Sequence, residues 1–594
     1  MFLKESKRFK DGKQHHYWSL VENRRVDGGR KVVQRHVLYL GEINSSQQAA
    51  WRRTIEVFET GCAQARTVAL FPEDRAPAAE DDKVVRIHLD QLELRRPRQW
   101  GACWLASVLY QKLGLDEFWA GHLSASRKGT RWDHVLQTLV SYRLIDPGSE
   151  WRLHREWFDK SAMADLLGAD DRLAADDTLY RCLDQIIGHK PALFSHLQGR
   201  WKDIFNARFD VLLYDLTSTY FESDPPSVPG DKRRFGYSRD KRFDCVQVVI
   251  ALVVTPEGFP LGYQVLPGNT LDKQTLSATL ASIEKQYGKA RRVWVMDRGI
   301  PTEETLEQMR QSDPPVHYLV GTPKGRLSKL EAELTQLPWQ KVRDGITVKL
   351  LAHQGECYVF AQSALRIDKE RAMRRRQLKQ LWKRLLELRQ MKHLERDELL
   401  MKLGAARQQW PGAWRFVVVR MPMKGEAVTE QTFAWRLCRS KLRQARRREG
   451  RYLLRTNLTE EDPVKLWKYY TQLTQVEEAF KNLKGDLALR PVYHQREDRI
   501  ESHIFVAFLA YCLHVTLGCW MRDVAPGLTP RSVLEKFGAV QMIDVHLPTT
   551  DGRRVILPRY TQPEKELQVL MDQMKLRLPE QPPPQITIIG EQTQ

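Results

Sequence analysis

A chain of 594 residues is longer than one hydrophobic core usually serves, so several domains, or one heavily interrupted domain, are expected. Lys and Arg number 94 against 74 Asp and Glu, a net charge of +20 with a pI near 9.5, which makes nucleic acid the leading partner. The eight cysteines include no Cys-x2-Cys pair and no His/Cys cluster at zinc spacing, so neither a disulfide framework nor a zinc module is indicated, and a reducing cytoplasm fits.

The N-terminus, "MFLKESKRFKDGKQHHYW", is basic but has no apolar core behind it, so it does not read as a secretory signal. Residues 1–90 alternate strand-like runs ("HHYWSLVENRR", "KVVQRHVLYLGEI") with charged turns and read as a small β-rich module. Residues 91–205 carry apolar residues three and four apart in "GACWLASVLYQKLGL", "WDHVLQTLVSYRLI" and "DDTLYRCLDQIIGH". This is a helical segment, either a DNA-binding domain or a plain packing domain.

From residue 206 the period changes. "FDVLLYDLTSTYFE" and "CVQVVIALVVTPEGFPLGYQVLPG" predict three strands, the last two joined by the turn "TPEG". A helix ("DKQTLSATLASIEKQYG"), a strand ("RRVWVMDRG"), a helix ("PTEETLEQMRQ") and a strand ("VHYLVGTPK") follow, up to residue 324. A three-strand meander followed by helix, strand, helix, strand is the order of an RNase H-like mixed sheet, an α/β core flanked by helices. Within it Asp215 follows "VLLY" and Asp297 follows "VWVM", each near the end of an apolar strand, where burial disfavours a lone charge. Either each acid is capped by hydrogen bonds or a cation is shared between them.

Residues 325–450 read as a basic insertion domain. Its helical stretch "RAMRRRQLKQLWKRLLELRQMKHLERDELLMKL" has Leu and Trp at helical spacing, and Trp382, Trp410, Trp414 and Trp435 accompany it. These residues could meet phosphates and unstacked bases, or they could form a solvated helix over a small Trp core. Residues 451–545 return to the core with "GRYLLRTNL" and the helix "DPVKLWKYYTQLTQVEEAFKNLKG". Tyr470, Leu473, Glu477, Phe480 and Lys484 are spaced 3, 4, 3 and 4 apart, one stripe that turns Glu477 inward and leaves Glu478 beside it. An inward carboxylate needs a cation, and one divalent-metal site shared with the two aspartates would meet that need. The uncharged run Ile504–Met521 holds His514, Thr516 and Gly518 and reads as a buried core helix, so no membrane is expected. Residues 546–594 are expected as a C-terminal tail.

The chain resembles the DDE transposases of bacterial insertion sequences, in the insertion-sequence-four superfamily. That family's last carboxylate helix carries Tyr-x2-Arg-x3-Glu-x6-Lys, and Tyr470, Leu473, Glu477 and Lys484 stand at those spacings, with Leu473 in place of the Arg. The blocks "YDLTSTYFES", "GYSRDKRFDCVQVV", "LPGNTLDKQTL", "VWVMDRGI" and "LALRPVYHQREDRIESHIFVAFLA" also look like the family's blocks, over roughly Phe209 to Trp520.

The resemblance implies that Asp215, Asp297 and Glu477 are catalytic metal ligands for Mg²⁺, with Mn²⁺ able to substitute. Three carboxylates can hold two such ions about 4 Å apart. It implies that Tyr470 and Lys484 contact DNA phosphates, with Arg298 and Lys241 as weaker phosphate contacts or simple surface charges. The partners would be the terminal inverted repeats and target DNA, bound by a dimer assembled on DNA. Leu473 removes one expected phosphate contact. Two other readings stand beside it: an RNase H-like nuclease of repair or junction cleavage, and a non-catalytic DNA-binding protein derived from a transposase.

Overall fold

The computed structural model describes residues 2–10, 13–26, 31–41, 87–127, 129–226, 229–322, 330, 333–334, 337–391, 393–458, 462–550 and 552–588. Residues 42–86 of the expected β-rich module, 325–329 at the start of the expected insertion and 589–594 of the expected tail lie outside the described residues. The chain divides into two compact units, Met1–Ser6 with His16–Val316 and Gln472–Gln594, and Lys7–His15 with His317–Thr471.

The strands β1 (Phe2–Lys10), β2 (Lys13–Val26) and β3 (Lys31–Gly41) form a small sheet in chain order. In the first unit, the strand β4 (Glu93–Gln99) precedes the helices Gly101–Lys112, Leu115–His122, Trp132–Ile145, Asp176–Ile186 and Lys190–Phe205. These pack around Glu497–Val524, whose residues are apolar on all sides, the pattern of a helix surrounded by protein. It is the one helix, among the described residues, long and apolar enough to cross a membrane, and 89% of that apolar window is buried inside the protein.

The sheet of this unit runs β8-β5-β6-β7, from β5 (Val211–Phe221), β6 (Val246–Val254), β7 (Pro260–Pro267) and β8 (Val293–Met296). β6 reads Val-Gln-Val-Val-Ile-Ala-Leu-Val-Val and is buried at every position, a continuous apolar run suited to a strand covered on both faces. β5 pairs antiparallel with β6 and parallel with β8, and β6 pairs antiparallel with β7. The helix Leu276–Tyr287 lies in the connection from β7 to β8. The helix Glu303–Gln311 then starts at Thr302, whose hydroxyl accepts from the Thr305 N–H at 3.1 Å.

In the second unit, β9 (His317–Gly321), β10 (Gln340–Arg343), β11 (Ile346–His353), β12 (Glu356–Ser363) and β15 (Arg451–Thr456) form an antiparallel sheet in the order β10-β11-β12-β15-β9. The 27-residue helix Ala364–Gln390, the helix Arg396–Gln409 and the hairpin β13 (Val417–Arg420) with β14 (Ala434–Leu437) share a core of Leu381, Leu385, Leu388, Leu403 and Phe433. Trp410, Trp414 and Trp435 pack against that core, and Trp382 meets Trp435 edge-on at 5.8 Å. These indoles are therefore largely occupied within the protein. The units divide after Val316 and after Thr471, not at the expected 324 and 450. The reason is pairing: β12 hydrogen-bonds to β15 from Cys357–Thr456 to Gln362–Arg451, which joins strands on both sides of the basic helices.

Residues 546–594 are not a tail. β16 (Gln541–Pro548), β17 (Arg553–Tyr560) and β18 (Gln585–Ile588) join β4 in a sheet of order β18-β17-β16-β4, with the helix Lys565–Met574 between β17 and β18. A buried guanidinium fastens β4 to β16: Arg98 donates to Asp544 at 2.9 and 3.1 Å and to Asp165 at 2.8 and 3.1 Å. Short strands that close a sheet with a partner more than 400 residues away carry no local signature of it.

Candidate active site

The parallel register of β5 with β8 runs from Val211–Val293 to Tyr214–Met296. Asp215 and Asp297 each follow directly on the last pair of that register, Tyr214–Met296. Asp215 is not at a strand end, because β5 continues to Phe221 against β6. It sits where the pairing with β8 stops, which opens one side of the strand to it. Asp297 is the first residue past β8 and is exposed.

The third acid arrives on the helix Leu473–Lys484, which packs on β5 and β6. Its buried residues are Val476, Ala479, Phe480 and Leu483. Burying a phenyl ring of this kind stabilises by roughly 1.5–3 kcal/mol, so Phe480 is a principal anchor of the helix and, through it, of Glu477. Both Glu477 and Glu478 are exposed, which corrects the expectation that Glu477 points inward. The expected stripe began at Tyr470, but a turn at Gln472 separates the helix Pro463–Thr471 from this one. The two glutamates still part company: the charge of Glu477 acts on Asp215, and that of Glu478 acts on Tyr511.

Asp215 is the electrostatic centre of the site. Its carboxyl is raised to about 6 in all: burial is the largest cause, the Leu216 N–H and the Arg239 charge oppose it, and the charges of Asp297 and Glu477 add to it. A single carboxylate under pressure from two others is a group that a hard cation would relieve.

Lys484 is largely buried and donates to Asp240 at 3.0 and 3.1 Å, and Arg490 pairs with the same carboxylate. Burial lowers the Lys484 ammonium and Asp240 holds it up. Lys241 is exposed beside Asp240 with a left-handed backbone (φ +61°), and Arg298 is exposed beside Asp297. Tyr470 belongs to the second unit, where its ring stacks on Tyr452 at 6.0 Å. Leu473 is partly buried on the carboxylate helix.

Sequence reasoning missed three residues here. Arg239 acts on Asp215 and is clamped to Asp272 by two 2.9 Å hydrogen bonds; Asp240 and Arg490 complete the ion pairs around Lys484. The alternating charges of "SRDKR" just ahead of an apolar strand were the available signal.

A second titratable cluster lies elsewhere in this unit. Glu150, His494 and His503 form the one group of three such side chains, among the described residues, whose ligating atoms all lie within 4.8 Å of one another; Asp215, Asp297 and Glu477 are more open than that. The buried Arg143 guanidinium stands 3.9 Å from Glu150 and 3.4 Å from His503, so a fixed cation already serves that carboxylate.

Residues 208–513 match the family model described as the transposase DDE domain, and residues 3–67 match the N-terminal domain of IS1634 family transposases. No curated protein matches the chain. Among solved structures it is similar to a cryo-EM structure of the piggyBac transposase synaptic complex with hairpin DNA, at 8% identity and a TM-score of 0.33, covering 73% of this chain and 79% of that one. On the match that spans the acids and the whole β5–β8 sheet, together with the one at its N-terminus, the chain belongs to the DDE transposases of bacterial insertion sequences.

Proposed function

We propose that the protein binds the terminal inverted repeats of an insertion sequence and cleaves and transfers DNA strands by metal-dependent attack on phosphodiesters. Asp215, Asp297 and Glu477 are the catalytic acids in this reading. The observation that carries it is the convergence of the charges of Asp297 and Glu477 on a half-buried Asp215, from three separate elements. The sheet order β8-β5-β6-β7, with β8 parallel to β5, supports an RNase H-like core.

The donor set fits Mg²⁺ or Mn²⁺, because all three groups are hard carboxylate oxygens. Asp215, Asp297 and Glu477 would hold the metal, which when bound supplies activation of an oxygen nucleophile and stabilisation of the leaving oxygen. Lys484, Arg490, Arg298 and Lys241 supply cationic groups for the phosphate backbone, and Tyr470 is assigned a phosphate contact. The helical segment 91–205 and the N-terminal strands are assigned to recognition of the element's ends, by a dimer on DNA in the bacterial cytoplasm.

The test is a cleavage assay on oligonucleotides carrying the element's own end and flanking DNA, with Mg²⁺ or Mn²⁺. Strand cleavage should require the metal and vanish in Asp215→Ala, Asp297→Ala and Glu477→Ala, while end binding persists. Wild-type cleavage in any of the three removes that residue from the site.

A further inference from the structure

The connection from β5 to β6, residues 222–245, is long, yet its outer part is fastened at many points. Arg234 and Gln247 exchange backbone hydrogen bonds at 3.1 and 3.0 Å, and Gly268 donates to the Lys232 carbonyl at 2.9 Å. The Gln247 side-chain amide donates to the Tyr237 carbonyl at 3.1 Å and to the Gly268 carbonyl at 2.9 Å. The backbones cross so closely that a Cβ on Gly236 would lie 2.0 Å from the Gly268 oxygen, and one on Gly268 2.0 Å from the Gln247 oxygen. Further out, Arg239 grips Asp272 and Asp240 grips Lys484.

This pinned loop holds aromatic rings in water. Tyr237 is 81% exposed and Phe243 64% exposed. Tyr493, 66% exposed, stands between two attachments to the same region: the Val492 N–H donates to the Tyr220 carbonyl at 3.4 Å, and Gln495 accepts from Arg233 at 2.5 Å. Scattered exposed apolar residues are ordinary, but two large rings on one pinned loop and a third on the segment bonded to it, beside a charged site, form a surface with a use. The insertion's tryptophans, by contrast, are packed against their own core.

We propose that Tyr237, Phe243 and Tyr493 form a stacking platform for unpaired bases of the DNA strand brought to the acids. The claim rests on the reading of Asp215, Asp297 and Glu477 as a DNA-cleaving site. Charge complementarity selects the occupant: Lys241 is exposed on the loop, Arg239, Arg242, Lys484 and Arg490 stand beside it in ion pairs with Asp272, with Glu222 and Asp244, and with Asp240, and a nucleotide offers both a phosphate for this cation-rich surface and a flat face for a ring. Duplex DNA hides its base faces, so these rings serve a strand that has opened. The position fits, since Arg239 of this loop acts on Asp215 and Asp240 fastens the loop to the helix that carries Glu477.

The experiment compares binding of the full-length protein, without divalent metal, to a paired duplex and to the same duplex ending in a short unpaired fork. One fork base is replaced by 2-aminopurine, whose fluorescence falls on stacking. Wild type should quench the probe. The triple variant Tyr237→Ser, Phe243→Ser, Tyr493→Ser should abolish the quench and lose about tenfold or more in fork affinity, with paired-duplex affinity unchanged. The variant Tyr237→Phe, Tyr493→Phe should retain both. Equal losses on fork and duplex, or a quench that survives the serines, overturn the platform. Asp215→Ala, run alongside, should quench as wild type does. A ring-dependent quench in a protein that cleaves nothing refutes the reading of the acids and leaves the platform standing; metal-dependent cleavage without a ring-dependent quench refutes the platform alone.

Discussion

The ammonium of Lys484 lies 3.0 Å from the Asp240 carboxylate, which also pairs with Arg490, so the cation at the end of the carboxylate helix is neutralised from the loop between β5 and β6. Asp240→Asn would leave two crowded, partly buried cations without their anion. Thermal or urea unfolding should show a loss of about 1–3 kcal/mol. DNA binding should move the other way, with higher low-salt affinity and a log-log salt slope steeper by about one unit per freed cation. An unchanged slope would mean that neither group reaches a phosphate.

Neighbouring glutamates should behave differently. Glu477→Ala is expected to abolish metal-dependent cleavage, and Glu478→Ala to retain most of it, because their charges act on Asp215 and Tyr511 respectively. Single-turnover cleavage by the two variants decides it. A dead Glu478 variant beside an active Glu477 variant would place the wrong residue in the site.

The basic helix Ala364–Gln390 has two kinds of cation. Arg374 and Arg371 meet Glu449, and Arg389 meets Glu430 and the Trp435 ring, whereas Arg375, Lys379 and Lys383 are exposed. Replacing Arg375, Lys379 and Lys383 by Gln should flatten the salt dependence of DNA binding by about one unit of slope per lost phosphate contact. Discrimination between cognate and scrambled ends should stay nearly constant. Selective loss of cognate binding would show that this helix reads sequence.

Acid should destabilise the fold through Glu150 and His503. Burial beside Arg143 drives the His503 imidazole down to about 4 from its ordinary 6.5. Between those values the unfolded chain binds a proton there that the folded chain refuses, so stability falls as pH drops through that window. Glu150 adds to the loss at lower pH: burial opposes its charge, but hydrogen bonds with His494 and His503 hold it well below the usual carboxylate range. Urea midpoints between pH 7 and 4.5 should fall less steeply in His503→Gln than in wild type. Parallel curves would show that His503 is not the responsible group.

Strands β5, β6 and β7 were legible because each buries most of a continuous apolar run, and the turn "TPEG" between β6 and β7 carries its own local chemistry. The two aspartates stood out in the sequence for a related reason, each being a charge that directly follows an apolar run. The orientation of Glu477 was misjudged. A stripe counted from Tyr470 runs through the turn at Gln472, and helical phase does not carry across a break. The C-terminal sheet was illegible, since β16 finds its partner in β4 and neither strand announces the other.

The sequence by itself determined the local ingredients of the family resemblance: two aspartates that each follow an apolar run, a Glu and a Lys seven residues apart on one helix, and a strongly basic chain. Periodicity and spacing are local, and they survive without a fold. Tertiary structure alone decided which charges meet. It set Asp297 and Glu477 against Asp215, occupied Lys484 with Asp240 across 244 residues, packed the insertion's tryptophans on their own core, and left Tyr237, Phe243 and Tyr493 in water. Burial and Coulomb energy depend on distances that only the packed chain defines, and no spacing along the sequence encodes them.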